Sequence, residues 1–200
     1  MNRLISASLI AFLAVFPLFA ASVTAEGNRE EFIKHFKEGR SCVGYKASKK
    51  MFFFMDMNVI GINCDIDLAR QTDSDGEKIR VEIPVEKFDS GIGIRDDYVA
   101  DLLGGSGKMP IVFETFIGTS HIPSELTGTL FIRNESYPVV LNLENLERQD
   151  GESVFFILES TYENFDIKVR RVGPGGFIVS PKEKLTLFGI ARMEDIIEVK

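Results

Sequence analysis

The side chains able to do chemistry in this 200-residue chain are few: two cysteines, two histidines and scattered carboxylates. Cys42 and Cys64 form an even pair, and in an oxidising compartment the default for such a pair is a disulfide. The alternatives are two buried free thiols, or a metal or redox pair; no Cys-x-x-Cys is present, so redox catalysis is not expected. A nucleophile needs a base beside it. His35, on the polar side of an expected helix, and His121, in a Gly/Thr/Ser turn next to Pro123, have no motif neighbour. A metal centre needs three or four clustered ligands, more than these residues supply, and no cofactor is expected. Asp65 and Asp67 read as solvated strand ends. Asp56 and Asp166 are the carboxylates that a hydrolase or isomerase of an amphipathic small molecule would need inside the fold with a raised pKa.

Three further stretches approach known motifs and miss. Gln71-Thr72-Asp73-Ser74-Asp75-Gly76 with Glu82 nearly spells a calcium loop, but Gln71 stands in the first ligand position and the flanks are strands where the motif needs helices. A hairpin turn at Asp75-Gly76 is the simpler reading. Gly104-Gly105-Ser106-Gly107-Lys108 lacks the Ser or Thr and the first Gly of a phosphate loop, with Met109 and Leu102 in those places, and reads as a helix stop followed by a turn. Asn134-Glu135-Ser136 fits a glycosylation sequon and is incidental in a bacterial-looking chain.

Met1-Asn2-Arg3, the apolar run Leu4 to Ala21 and the small residues of Val23-Thr24-Ala25 have the order of a secretory leader cleaved after Ala25. An uncleaved membrane anchor is the alternative, because the run approaches spanning length; Ser6 and Ser8 dilute it. The expectation is therefore a signal peptide over 1–25, a single domain over 26–200, a periplasmic or secreted location and no stable membrane insertion. Removing Arg3 with the leader takes the formal charge from -7 to -8. That acidic balance argues against nucleic acid and anionic membrane surfaces as main partners. Seventeen Phe and no Trp make a lopsided aromatic set, and all the Phe but Phe12, Phe16 and Phe19 are spread along the mature chain.

Asn28 to Arg40 places Phe32, Ile33 and Phe36 at helical spacing and predicts a short amphipathic helix ending at Gly39. From there the period becomes two. Strands are predicted over Met51 to Ile62, Ile79 to Val85, Ile111 to Ile117, Leu126 to Arg133, Val139 to Leu143, Ser153 to Glu159, Phe165 to Val169 and Lys184 to Ile190. Turn chemistry at Asp75-Gly76, Asn134-Glu135-Ser136, Asp150-Gly151 and Gly173-Pro174-Gly175-Gly176 separates them. Asp96 to Leu103 reads as a short helix capping one end. Evenly spaced strands with short turns mean an antiparallel barrel or sandwich, and pattern alone does not choose between them.

Four stretches, Phe88-Asp89-Ser90-Gly91, Arg95-Asp96, Lys108-Met109-Pro110-Ile111-Val112-Phe113 and Gly128-Thr129-Leu130-Phe131-Ile132, occur in this order behind the leader. Together they resemble the YceI-like family of secreted, polyisoprenoid-binding bacterial proteins, over roughly Tyr45 to Met193. The chain departs from that family's pattern at Asn134-Glu135-Ser136-Tyr137 and at Thr161 to Ile167, as a divergent member would. The resemblance implies an all-β fold: an antiparallel, lipocalin-like β-barrel of about eight strands with short capping helices.

In such a barrel alternate residues point inward. The expected ligand-binding set is Phe52, Phe54, Ile79, Val81, Ile83, Ile111, Phe113, Leu130, Ile132, Leu141, Phe156, Leu158, Phe165 and Leu187, nearly free of charge. A lumen of this kind favours an extended hydrocarbon and leaves a polar substrate unpaired. The resemblance implies an isoprenoid, quinone-like or other long-chain lipid as ligand, carried or sequestered without covalent chemistry. The register of the Phe-rich strand is open, as is a homodimer. The competing expectation is a structural or interaction barrel filled by its own side chains, since small barrels are often filled.

Overall fold

A computed structural model describes residues 29–51, 55–73, 76–117, 123–148, 151–169 and 179–199. The leader, Phe52, Phe54, His121 and the turn at 173–176 lie outside the described residues. Ten strands form one curled sheet, a half-barrel: β1 Cys42–Met51, β2 Met55–Asn63, β3 Asp67–Asp73, β4 Gly76–Ile83, β5 Ile111–Ile117, β6 Glu125–Ile132, β7 Glu135–Arg148, β8 Gly151–Thr161, β9 Val179–Arg192 and β10 Ile197–Glu198. The spatial order is β10-β3-β4-β5-β6-β7-β8-β9-β1-β2. Neighbours are antiparallel except β10, which lies parallel to β3 through Ile197↔Ala69 and Glu198↔Arg70.

The expected eight strands therefore become ten, and the differences have local causes. Met51 to Ile62 is not one strand: the chain reverses, and β1 and β2 pair as a hairpin from Val43↔Asn63 to Met51↔Met55. β1 and β3 escape a hydrophobicity reading because their outer faces carry residues such as Lys46 and Asp67. The predicted strand Phe165 to Val169 is absent: Glu163–Phe165 forms a 3-10 turn and Asp166 follows with φ 51°, which ends any extended run. Val85 leaves β4 for another such turn, Val85–Lys87. At the amino end only 29–33 is helical, short of the expected Arg40, and turns follow it. The capping helix runs Gly93–Gly104, starting before the expected Asp96 and stopping where Gly105 takes φ 70°.

The near-motif stretches fall at strand ends and turns, with Ser74 and Asp75 of the first outside the described residues. Gln71, Thr72 and Asp73 end β3, and Asp73↔Gly76 closes its hairpin with β4. Lys108 and Met109 donate their N–H groups back to the Gly105 and Gly104 carbonyls, folding the glycine-rich segment onto the helix end. Arg133 and Asn134, both with positive φ (54° and 65°), make the tight turn between β6 and β7.

The Asp-Ser-Gly and Arg-Asp stretches hold the seam of the half-barrel. The free edge of β2 is met by Asp89, which exchanges both backbone hydrogen bonds with Ile62 at 2.9 Å. The next residue, Ser90, donates its N–H and its hydroxyl to the Asp96 carboxylate. Arg95 Nε donates to the Ser90 oxygen at 2.7 Å. These residues fasten the helix to the sheet edge and none of them lines the interior cavity.

A second layer lies outside the wall. Phe32 stacks on Phe188 with ring centres 3.8 Å apart, and Phe36 leans on the same ring at 5.6 Å. Helical spacing thus predicted the contact face correctly although the helix is shorter. Cys42 and Cys64 form a disulfide that closes a sequence separation of 22 at the sheet edge. Chain-entropy arguments give that loop about 3 kcal/mol. Urea unfolding with and without reductant should differ by that order, and a difference under about 1 kcal/mol would show that the β1–β2 ladder already supplies the constraint.

Candidate functional site: an apolar cavity

Period-two alternation carries one side chain in two to the concave face, and at one end of the half-barrel these side chains leave a cavity of about 280 Å³. Ile79, Val81 and Ile83 of β4 line it, with Phe113 of β5, Leu130 of β6 and Leu141 of β7. Phe156 and Leu158 of β8 and Leu187 of β9 complete the expected part of the wall. The same alternation continues one or two steps farther: Glu77, Thr115, Ile117, Leu126, Leu143 and Val154 also line it. Their signal was in the sequence as extensions of patterns already read. Val43, Leu68 and Arg70 come from the two strands that were not anticipated.

Ile111, Ile132 and Phe165 do not line the cavity. They are buried in the same core cluster, where the strands approach the capping helix and its Ala100, Leu102 and Leu103. That end is filled. Tyr45 meets Phe88 edge-on at 5.3 Å, and Tyr137 meets Phe165 edge-on at 5.4 Å while donating its hydroxyl to the Phe165 carbonyl at 3.0 Å. Burial pushes the Tyr45 phenol up to about 12, the neighbouring Ser90 hydroxyl only partly offsetting it. Burial likewise raises Tyr162. Both phenols stay neutral, so the filled half is apolar in charge as well as in packing. Among the described residues the cavity is therefore closed toward the capping helix.

Two inward glycines explain how a Phe-rich interior keeps any space. A Cβ at Gly128 would collide with the Phe113 ring, and one at Gly189 with the Phe156 ring. Each ring lies flat against the wall over a position without a side chain, and does not stand into the lumen. Gly128 belongs to one of the four stretches noted in the sequence, which gives that motif residue a physical role.

Of the carboxylates named for an acid–base site, the described ones are not gathered here. Asp166 is exposed in its turn, away from the cavity wall. Asp65 is exposed and 3.7 Å from Lys87. His35 is exposed. The side chain of Asp56 lies outside the described residues. The polar groups that do line the cavity are Arg70, Glu77 and Thr115, and the Thr115 hydroxyl already donates to the Thr127 carbonyl at 2.7 Å.

The open end is crossed by the carboxy-terminal segment. After β9 the chain turns through Met193–Asp195 and reaches β3 as β10, so that Met193 and Ile196 line the cavity from above. Asp195 anchors this strap by accepting from the Ser41 N–H at 2.9 Å and the Ser41 hydroxyl at 2.6 Å. Nothing in the local sequence announced it, because a two-residue strand has no periodicity to read.

No protein-family model matches the sequence, and no curated protein matches it. Solved structures do match. The crystal structure of Burkholderia cenocepacia BcnA aligns with a TM-score of 0.53 at 16% identity, over 76% of this chain and 96% of that one. A polyisoprenoid-binding domain from Saccharophagus degradans aligns at 0.47 and 8% identity, over 75% and 94%. A Campylobacter jejuni YceI protein aligns at 0.46 and 18% identity, over 80% and 95%. At such identities the likeness is one of fold: the chain is built as BcnA is, and YceI proteins stand among its structural neighbours.

Proposed function

We propose that this protein is a divergent YceI-like lipid-binding barrel that carries or sequesters an amphiphilic ligand, with the ligand's apolar tail in the cavity. The observation that carries this reading is the cavity itself, walled by aliphatic side chains from eight strands and kept open by flattened Phe rings. Apolar walls bind hydrocarbon by removing it from water, at about 0.8 kcal/mol per CH₂. A cavity of about 150 Å³ takes a benzene ring, so 280 Å³ takes roughly a dozen carbons. A short isoprenoid or a quinone with a short tail fits within it, and a longer polyisoprenoid must leave the rest of its chain outside the mouth. The apolar run behind Met1-Asn2-Arg3 and the Cys42–Cys64 disulfide support a periplasmic or secreted location.

Native mass spectrometry of the protein purified from its own host should show an added mass matching a lipid. Stripped of it, the protein should take up farnesol with micromolar or better affinity. Absence of a co-purifying lipid together with no uptake of any ten- to fifteen-carbon amphiphile would overturn the reading.

A further inference from the structure

We infer that the mouth of this cavity selects a neutral, hydrogen-bond-accepting head group, such as a hydroxyl or a quinone carbonyl, and rejects an anionic one, through Arg70 held between Glu77 and Glu198. The inference rests on the lipid-binding reading and adds the chemistry of the ligand's polar end. The floor of the cavity is filled and its walls are apolar, so a head group has favourable partners only at the open end. Among the described residues the charged side chains lining the cavity there are Arg70 and Glu77.

Arg70 is not saturated. Its Nη2 donates to Glu198 Oε1 at 2.9 Å, and its Nη1 lies 3.8 Å from Glu77 Oε2, an ion pair beyond hydrogen-bond length. Its Nε–H is fully enclosed and out of a ligand's reach, whereas Nη1 makes no hydrogen bond among the described residues and is not enclosed. A head-group oxygen at the cavity wall can accept from Nη1, the donor that the ion pair with Glu77 leaves without a hydrogen bond. The position is fixed from both sides: Arg70 sits in β3 with its carbonyl accepting from the Val199 N–H at 2.8 Å, so the strap and the guanidinium move together.

The sign of the selection follows from charge. One guanidinium faces two carboxylates, so the trio carries a net negative charge. A carboxylate or diphosphate head group approaching Arg70 meets Glu77 and Glu198 at close range, and like charges juxtaposed at a binding site oppose binding. A hydroxyl or ketone oxygen accepts from Nη1–H without that penalty. Arg70 is thus a specificity residue, and the two glutamates turn an arginine that would bind anions into one that does not.

Calorimetric titration of the mature protein with farnesol and with farnesyl diphosphate tests this, because the two share one tail. Farnesol should bind at least ~10-fold more tightly. The Glu77→Gln, Glu198→Gln double variant should reduce that preference by ~10-fold or reverse it, a ratio that any general loosening of the strap leaves alone because both ligands feel it. Arg70→Met should weaken farnesol several-fold without improving the diphosphate. Tighter binding of the diphosphate by the wild-type protein, or an unchanged ratio in the double variant, overturns the head-group inference and leaves the lipid-binding reading standing. Binding of neither ligand overturns both.

Discussion

Replacing Ala191 with Phe should abolish uptake of a farnesyl-sized ligand while leaving the fold intact. Ala191 lines the cavity from β9 opposite Val154, and its short side chain is part of what leaves the space empty. A cavity of roughly 150 Å³ is what one benzene ring requires, so a phenyl group there takes up about half of the 280 Å³ available. About six ligand carbons are then excluded, and at about 0.8 kcal/mol each the loss is about 5 kcal/mol. That corresponds to roughly a thousandfold or more in affinity. Because the ring enters existing space, the urea midpoint should stay level or rise, which separates a blocked site from a damaged protein. Undiminished farnesol binding by a folded Ala191→Phe variant would place the ligand elsewhere and remove the cavity from the account of function.

The second large effect is on stability alone. Phe188 is fully buried, yet it faces away from the cavity, sandwiched between the sheet and Phe32. Its neighbour Leu187 points the opposite way, into the lumen. Phe188→Ala should cost about 3–5 kcal/mol, since it removes a ring from a closely packed site and leaves Phe32 and Phe36 without their seat. The variant that remains folded at low temperature should bind farnesol as the wild type does. A loss under about 1 kcal/mol would mean that the amino-terminal segment contributes little to the folded state.

Paired with Ala191→Phe, this variant distinguishes the two layers. One substitution acts on the inner face and alters binding, and the other acts on the outer face and alters stability. The difference of a single residue in register between Leu187 and Phe188 decides which, because successive strand side chains point to opposite faces.

The sequence alone determined the all-β character, most strand positions and the inner face of β4 through β9, because burial on one face imposes an alternation that any register must respect. Ile79, Val81 and Ile83 could be read this way, as could Leu141, Phe156 and Leu158. The cysteine pair was legible from chemistry and count. What alternation cannot encode is depth along the barrel axis. Ile111 and Ile132 carry the same inward signal as Phe113 and Leu130, yet they lie in the filled half, because the helix Gly93–Gly104 covers that end. The flattening of Phe113 and Phe156 over Gly128 and Gly189 depends on residues brought together from different strands. The strap, and with it the meeting of Arg70 with Glu198, depends on contacts 128 residues apart in the chain. Those relations arise from the curling of the sheet and are properties of the folded molecule, so only the tertiary structure decided how much of the interior is empty and which charges stand at its mouth.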